Sequence, residues 1–327
     1  MTLLVVVIAV GMAFDFTNGF HDTANYVATW VGTRALAPRT AVLVSAAANL
    51  AGAFVTTAVA STVGKGIIDT ALATDQTVLA ALLGAIAWNL VTWWGGLPSS
   101  STHALVGGLA GAALVQSGTA GVQWNGIWQK VIIPAAGSPV IGFAAAFALL
   151  VVIYRLFQRL TPGVAHRSFR LGQLLSGTWV AFSHGANDAQ KTMGVIALAL
   201  FTHGSISSFY VPTWVKLSAG LTIAAGTYAG GWRIIRTLGQ RIYKMQPEHG
   251  FAAQIAAGST LYAGTHFGFP ISTTHVVTGS VMGAGATRRF SAVRWGVAGN
   301  ILVAWLLTLP GAGLVAAAAY YPVRWIF

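Results

Sequence analysis

The polar segment Asn18-Gly-Phe-His-Asp22 interrupts an apolar stretch and recurs about 166 residues later as His184-Gly-Ala-Asn-Asp188. A second segment, Pro98-Ser-Ser-Ser-Thr-His103, recurs 172 residues later as Pro270-Ile-Ser-Thr-Thr-His275. The chain has only six acidic residues, and one of them ends each copy of the first segment. Two motifs that return in the same order at nearly the same offset indicate that one half of the chain duplicates the other.

Composition decides the class of protein. Hydrophobic residues make up 55% of the 327 residues and charged residues only 7%, with a mean hydropathy of +0.70. Soluble domains carry about 25% charged residues, so this chain lacks the charge to coat a globule in water. Its apolar runs do not alternate as membrane β-strands do. The sequence therefore predicts an all-α integral membrane protein, with apolar runs long enough to cross a bilayer at 41–60, 131–153, 212–232 and 297–319.

Several classes of function are excluded by what the sequence lacks. There is no cysteine, which rules out disulfides and thiolate metal sites. No His/Cys metal spacing, phosphate loop or nucleotide fingerprint is present. The net charge is +12, but most Lys and Arg residues lie between apolar segments, where they set topology and contact lipid headgroups. We therefore expect no metal, no cofactor, no nucleic-acid partner and no enzymatic chemistry.

The duplication sets the domain organisation. A third matched pair, Thr62 to Ile67 and Thr237 to Ile242, has an offset of 175. We divide the chain into a first repeat (1–154), a basic linker (155–170) and a second repeat (171–327). The first segment of each repeat is too long for one plain span, which predicts a broken helix or a re-entrant hairpin at the Asp motif. Each repeat is predicted to cross the membrane five times, at 2–31, 40–62, 77–96, 99–117 and 130–154, and at 171–201, 212–232, 250–268, 271–287 and 292–320.

Positive charge predicts the orientation in a plasma (inner) membrane. If the 155–170 linker is cytoplasmic, the basic loops 32–40, 233–244 and 288–294 are also inside, as the positive-inside rule requires. The loops 118–129 and 202–211, which have no Lys or Arg, are then outside. Five crossings per repeat make the two repeats inverted relative to each other. This is the plan of many secondary transporters, whose site lies near the midplane.

The Asp motifs have the chemistry of a cation or proton site. Asp22 and Asp188 lie inside predicted membrane segments, where a carboxylate costs about 2.5–3.5 kcal/mol on insertion scales. Carboxylate and amide oxygens suit Na⁺ or a proton relay, and histidine can carry protons near neutral pH. A purely structural Asp–Asn network is the alternative. We expect these residues to serve the coupling cation or proton: Asp22, Asp188, Asn25, Asn18, Asn187, His21 and His184.

The Ser/Thr motifs have the complementary chemistry of an anion site. Pro98 and Pro270 start or break a helix, so the following residues occupy a first turn whose backbone N–H groups lack intrahelical partners. Two such turns, brought together by inverted symmetry, would hold a tetrahedral oxyanion. Ordinary N-capping is the alternative. The glycines from Gly107 to Gly111 are expected to allow close helix packing. The candidate anion-binding hydroxyls are Ser100, Ser101, Thr102, Ser272, Thr273 and Thr274.

Lys191 breaks the symmetry of the repeats because it aligns with Asn25. A lysine beside Asp188 would supply a fixed positive charge where the other repeat binds a mobile cation, or it would pair directly with the anionic substrate. We expect it to replace one cation site and so to favour protons over sodium. A simple ion pair between Asp188 and Lys191 is the alternative.

At these residues the chain resembles the inorganic phosphate transporter (PiT) family, in its compact bacterial branch. The resemblance is carried by Phe14-Asp-Phe-Thr-Asn-Gly-Phe-His-Asp-Thr-Ala-Asn25, Ser183-His-Gly-Ala-Asn-Asp-Ala-Gln-Lys-Thr-Met-Gly194 and both Pro-x-Ser-x-Thr-His motifs, and it covers essentially the whole chain. It implies cation-coupled uptake of orthophosphate through an inverted-repeat fold, often as a homodimer. It adds Thr23 to the phosphate site, and we place Gln190 and Lys191 there as well.

Two departures from the family pattern bear on the coupling ion. His21-Asp22 stands where the family usually has Asn-Asp, and Gln190-Lys191 stands where sodium-coupled members usually have Ala-Asn. Both favour protons over sodium. Sulfate is an open alternative, since both anions are tetrahedral, and phosphate could travel as a metal–phosphate complex. A membrane aspartyl protease is a remote alternative, because Lys191 would disturb a proton shared between two aspartates. A channel is less consistent with matched repeats than alternating access is.

Overall fold

A computed structural model describes residues 2–238, 242–243 and 245–327. Arg241 and Lys244, which belong to the basic 233–244 loop, lie outside the described residues, as does part of the third repeated block. The described residues form α-helices and no strands, which confirms the all-α prediction. The helices are α1 (Thr2–Asp22), α2 (Ala24–Gly32), α3 (Pro38–Gly52), α4 (Ala58–Lys65), α5 (Asp75–Trp94), α6 (Ser101–Ser117), α7 (Trp124–Ile127), α8 (Ile133–Phe157), α9 (Pro162–Thr202), α10 (Thr213–Ala229), α11 (Trp232–Arg236), α12 (Pro247–His266), α13 (Thr273–Ala286) and α14 (Trp295–Ile326).

Length and composition make five helical segments of the described chain able to cross a membrane. Large hydrophobic side chains such as Leu156, Leu175 and Trp325 project outward from the surface. In water a surface this apolar would promote aggregation, whereas in a membrane it contacts the lipid chains. The five segments are Thr2–Gly32, Asp75–Trp94, Ser101–Gly121, Trp124–Phe157 and Trp295–Ile326.

The predicted breaks at the two Asp motifs have different outcomes. At the first motif α1 ends at Asp22 and α2 begins at Ala24, but the interruption is confined to Thr23, whose φ and ψ stay helical. At the second motif there is no interruption, because α9 is one continuous helix of 41 residues that runs through Asp188. The prediction of a break or hairpin at the second motif is therefore wrong.

Two predicted single passes are each divided. The segment 40–62 forms α3 and α4 with a turn between them, and 212–232 ends as α10 before the short α11. The basic linker is mostly helical, since α8 ends at Phe157 and α9 begins at Pro162. The division into an inverted pair of repeats remains a prediction.

Two hydrophobic clusters fill the interior, and α9 contributes to both. Val180 packs in one cluster and Val195 in the other. The helix pair α1–α2 does the same, with Phe14 in one cluster and Ala24 in the other. Both Asp motifs therefore lie at the level where the two clusters meet, in the middle of the protein.

Glycines bring α6 close to its neighbours, as the sequence predicted. A Cβ atom added to Gly107 would lie 2.2 Å from the carbonyl oxygen of Leu309, and one added to Gly111 would lie 2.1 Å from that of Gly313. Both contacts join α6 to α14. Because backbone atoms cannot move aside as a flexible side chain can, only glycine fits these positions.

We predict that Gly111→Ala lowers the melting temperature of the purified protein in detergent. The added methyl group overpacks a backbone contact, which typically costs about 1–3 kcal/mol. Gly137→Ala in α8 is the matched control, because nothing lies within 4 Å of a Cβ there. Thermal denaturation followed by tryptophan fluorescence measures both, and equal melting temperatures would contradict the close packing described.

Candidate functional site

The two Ser/Thr motifs form the first turns of α6 and α13. In each, an extended serine precedes the helix and caps it: Ser100 accepts a hydrogen bond from the His103 amide at 3.2 Å, and Ser272 accepts one from the His275 amide at 3.3 Å. Ordinary N-capping is thus the role of these two hydroxyls. Capping leaves the next residues of each motif free to point toward the centre of the protein.

Those next residues bond to the aspartates. Ser101 Oγ donates to Asp22 Oδ2 at 3.2 Å, and Thr273 Oγ1 donates to Asp188 Oδ1 at 3.3 Å. Each Ser/Thr motif therefore meets the Asp motif of its own half of the chain. The same pairing occurs twice, which is what a duplicated functional unit predicts.

One further contact joins the helix starts to each other, and a second joins α2 to the start of α13. Thr102 Oγ1 donates to the Ile271 carbonyl at 3.3 Å, and Asn25 Nδ2 donates to Thr274 Oγ1 at 3.0 Å. The first turns of α6 and α13 thus lie side by side. Their N-terminal amides carry partial positive charge, and this charge favours an anion between them.

A histidine links the two aspartates. His184 Nε2 lies 3.3 Å from Asp188 Oδ2 and 3.8 Å from Asp22 Oδ2. One ligand atom from each of these three residues lies within 4.8 Å of the others, a spacing that could hold a metal ion. The group is closed to solvent, since Asp22 is 2% exposed and the other two are 0% exposed. We call Asp22, His184 and Asp188 the central cluster.

Each aspartate also has a partner of its own. Lys191 Nζ donates to Asp188 Oδ2 at 2.6 Å, and His21 Nδ1 lies 2.8 Å from Asp22 Oδ1. The simple ion pair that the sequence left open for Lys191 is therefore present. The two halves differ here, because a lysine partners Asp188 and a histidine partners Asp22.

Two predicted phosphate-site residues point away from the central cluster. Thr23 Oγ1 donates to the carbonyls of Gly19 and Thr227, at 2.6 and 3.1 Å. Gln190 Oε1 accepts from the amides of Val59 and Ala60, at 2.8 and 3.2 Å. Gln190 thus caps the start of α4, which explains why the predicted pass at 40–62 breaks there.

The two remaining asparagines of the motifs are placed differently from each other. Asn187 Nδ2 donates to Thr265 Oγ1 at 2.9 Å and to the Phe269 carbonyl at 3.0 Å, so it fastens α9 to the end of α12. Asn18 is fully buried, and neither of its side-chain atoms has a hydrogen-bond partner within the described part of the chain.

Sequence reasoning missed residues that orient the histidines. Asn49 Oδ1 accepts from His184 Nδ1 at 2.7 Å, which leaves Nε2 facing the aspartates. Thr92 Oγ1 and Ser99 Oγ lie 3.2 and 3.3 Å from His21 Nε2. A signal existed for Asn49, because it is an isolated amide in the apolar run 41–60.

The arrangement combines two chemistries in one closed space. The starts of α6 and α13 supply amides and hydroxyls for an anion, and the central cluster supplies carboxylates and an imidazole for a cation or proton. The ring centroids of His103 and His275 lie 4.8 Å apart, and those of His275 and Trp305 lie 3.8 Å apart. These histidines therefore pack the starts of α6 and α13 together.

Comparison with known proteins finds chains that are similar to this one over most of its length. The model of the phosphate transporter family matches residues 18–316. A Rhizobium meliloti (strain 1021) protein named "Probable low-affinity inorganic phosphate transporter" is 49% identical over 321 residues, covering 98% of this chain and 96% of that protein. Proteins with the same name from Mycobacterium tuberculosis (strain ATCC 25618 / H37Rv) and Bacillus subtilis (strain 168) are 48% and 41% identical, covering 99% and 100% of this chain and 78% and 98% of theirs.

A solved structure has the same fold over its whole length. It is described as "The sodium-dependent phosphate transporter", superimposes with a TM-score of 0.92, is 26% identical in sequence, and each chain covers 100% of the other.

We predict that Gln190→Met lowers the melting temperature of the purified protein in the absence of any ligand. The amides of Val59 and Ala60 would lose their acceptor, and a buried unpaired amide costs about 1–3 kcal/mol. Gln158→Met, at an exposed position between α8 and α9, is the control of equal size. If both variants melt with the wild type, Gln190 does not cap α4.

Proposed function

The chain belongs to the phosphate transporter family, and from this premise we propose that it imports inorganic phosphate by alternating access, driven by protons rather than sodium. It is a multi-pass membrane protein and not an enzyme, in keeping with the transporter names of the relatives described above. We place it in the plasma membrane with the 155–170 linker in the cytoplasm, surrounded by lipid and working as a homodimer.

One observation carries this proposal: Ser101 and Thr273, at the starts of two helices, each bond to one of two aspartates that His184 links. An anion that binds between the helix starts would compete for these hydroxyls. It would also lie beside Asp22 and Asp188, whose negative charge must be offset at that moment. Anion binding and cation binding therefore depend on each other, which is the requirement for symport.

Protons are favoured over sodium as the coupling ion because a lysine already pairs with one of the two aspartates. Lys191 is fully buried and pairs with Asp188 at 2.6 Å, so a sodium ion at that oxygen would face a neighbouring ammonium. The aspartate of the other half has no lysine beside it and is bonded to His21 instead. The solved neighbour, described as sodium-dependent, gives the competing hypothesis that the test must separate.

Two other substrates fit the same geometry. Sulfate is tetrahedral as phosphate is, and the first turns of α6 and α13 do not distinguish the two anions. A divalent ion held by the central cluster could also travel with phosphate. The names of the relatives favour phosphate over sulfate.

We predict that proteoliposomes containing the protein accumulate radiolabelled phosphate under an inward proton gradient without sodium, and that excess unlabelled sulfate does not compete. Accumulation of sulfate instead would make this a sulfate carrier, and a requirement for Mg²⁺ would identify a metal–phosphate substrate. Lys191→Asn is the diagnostic variant, because removing the fixed cation should make uptake respond to sodium. Unchanged cation dependence in this variant would reject the role proposed for Lys191.

We also predict that Ser101→Ala and Thr273→Val each reduce phosphate uptake by about tenfold or more. A hydrogen bond to a charged group contributes about 1.5–3 kcal/mol, which corresponds to that range. The control is Thr278→Val on the same helix as Thr273, because the Thr278 hydroxyl has no partner within the described residues. Normal uptake by Ser101→Ala and Thr273→Val would show that the anion binds elsewhere.

A further inference from the structure

A group of buried polar side chains lies next to the central cluster without bonding to it. It consists of Asp15, Asn18, Asn89 and Thr192, which we call the Asp15 chamber. All four are 0% exposed. Among the residues that the structure describes, none of their carboxylate, amide or hydroxyl atoms has a hydrogen-bond partner. Folded proteins pair nearly all such atoms, so a concentration of unpaired ones indicates a site for a ligand.

The packing of three helices closes the chamber on one side. At Gly11 of α1, an added Cβ would lie 3.3 Å from Ile196 of α9 and 3.8 Å from Leu82 of α5. The three helices therefore touch at this level through apolar atoms.

On the other side, the same three helices meet at the candidate site. His21 Nε2 of α1 lies 3.2 Å from Thr92 Oγ1 of α5, and Asp22 Oδ2 lies 3.8 Å from His184 Nε2 of α9. Together with the contacts at Gly11, they fix the position of α1 along both α5 and α9.

The chamber residues occupy the turns between the two levels. Asp15 follows Gly11 by four positions, and Thr192 precedes Ile196 by four. Likewise, Asn18 precedes His21 by three, and Asn89 precedes Thr92 by three. Residues three or four apart share a helix face, so all four side chains face the space that the three helices enclose.

Asp15 differs from the other buried aspartates because it has no cationic partner within the described chain. The Thr192 hydroxyl interacts with it but falls outside hydrogen-bond geometry. Asp188, His184 and Lys191 act on it through space, all from α9. The ionisable residues of the other helices packed on α1 are Tyr26 in α2, Asp75 in α5, His103 in α6, and Lys216 and Tyr228 in α10.

We propose that the Asp15 chamber is a second coupling site, in which the Asp15 carboxylate takes up the proton that is transported with phosphate. The proposal rests on the proposed function. A bare carboxylate without a partner is too costly to remain buried, so a proton or a cation must neutralise it. A proton fits better than Na⁺, because His184 and Lys191 already place positive charge beside the chamber.

The position of Asp15 explains how the proton would favour phosphate. Asp15 lies seven residues before Asp22, which is about 10 Å along the helix. An ionised Asp15 repels an anion at the starts of α6 and α13, and forming the O–H bond removes that repulsion. By thermodynamic reciprocity, bound phosphate then favours protonation of Asp15 to the same extent.

The test compares coupled and uncoupled transport in Asp15→Asn proteoliposomes. This variant keeps the shape of the side chain but cannot gain a proton. We expect exchange of phosphate across the membrane at equal pH to persist, and accumulation under a proton gradient to fall about tenfold, within the usual range of coupling. Asp69→Asn, which changes a loop carboxylate outside both sites, should behave as the wild type in both assays.

Each outcome decides the matter. Wild-type accumulation in Asp15→Asn overturns the proposal, as does loss of exchange together with accumulation in a variant that melts normally. A sodium gradient that drives the wild type but not Asp15→Asn would assign the chamber to Na⁺ instead. If the wild type exchanges no phosphate, the proposed function fails, and infrared spectroscopy still tests the chamber: a protonated-carboxyl band must be present in the wild type and Asp69→Asn, and absent in Asp15→Asn.

Discussion

The pairing of buried charges determines how this protein is built. Asp188 is surrounded by apolar helices with no access to water, and it is stable there because Lys191 and His184 contact the same oxygen. Asp22 is held by His21 and by Ser101 from another helix. Breaking such a pair leaves an uncompensated charge, which costs far more than the pair itself contributes. The helices that carry these residues must therefore stay in register.

The two halves of the chain carry matching copies of this arrangement, and the copies differ in their chemistry. Ser101 and Thr273 keep equivalent positions, and so do Asp22 and Asp188. Their cationic partners differ, since one is a histidine beside Asp22 and the other a lysine one turn along α9. A protein with this asymmetry can give one carboxylate a fixed charge state and leave the other to respond to its surroundings.

The sequence predicted the meeting of the motifs well, because polar residues in apolar helices must find one another. It did not predict which hydroxyls face inward. Ser100 and Ser101 are adjacent in sequence, yet one caps a helix and the other bonds to Asp22, a choice that depends on where the helix starts. The sequence placed the neighbouring residues Gln190 and Lys191 together in the phosphate site. In the structure they lie on different faces of α9. Asn89 carried no pattern of its own and is understood only through the helices around it.

The unbroken course of α9 has a mechanical consequence. This helix begins in the basic linker region, passes through Asp188 and ends where His203 pairs with Asp75 of α5 at 2.9 Å. A continuous helix transmits displacement along its length, and α9 is continuous over 41 residues. A displacement at either end of α9 would therefore reach Asp188 in the middle of the protein.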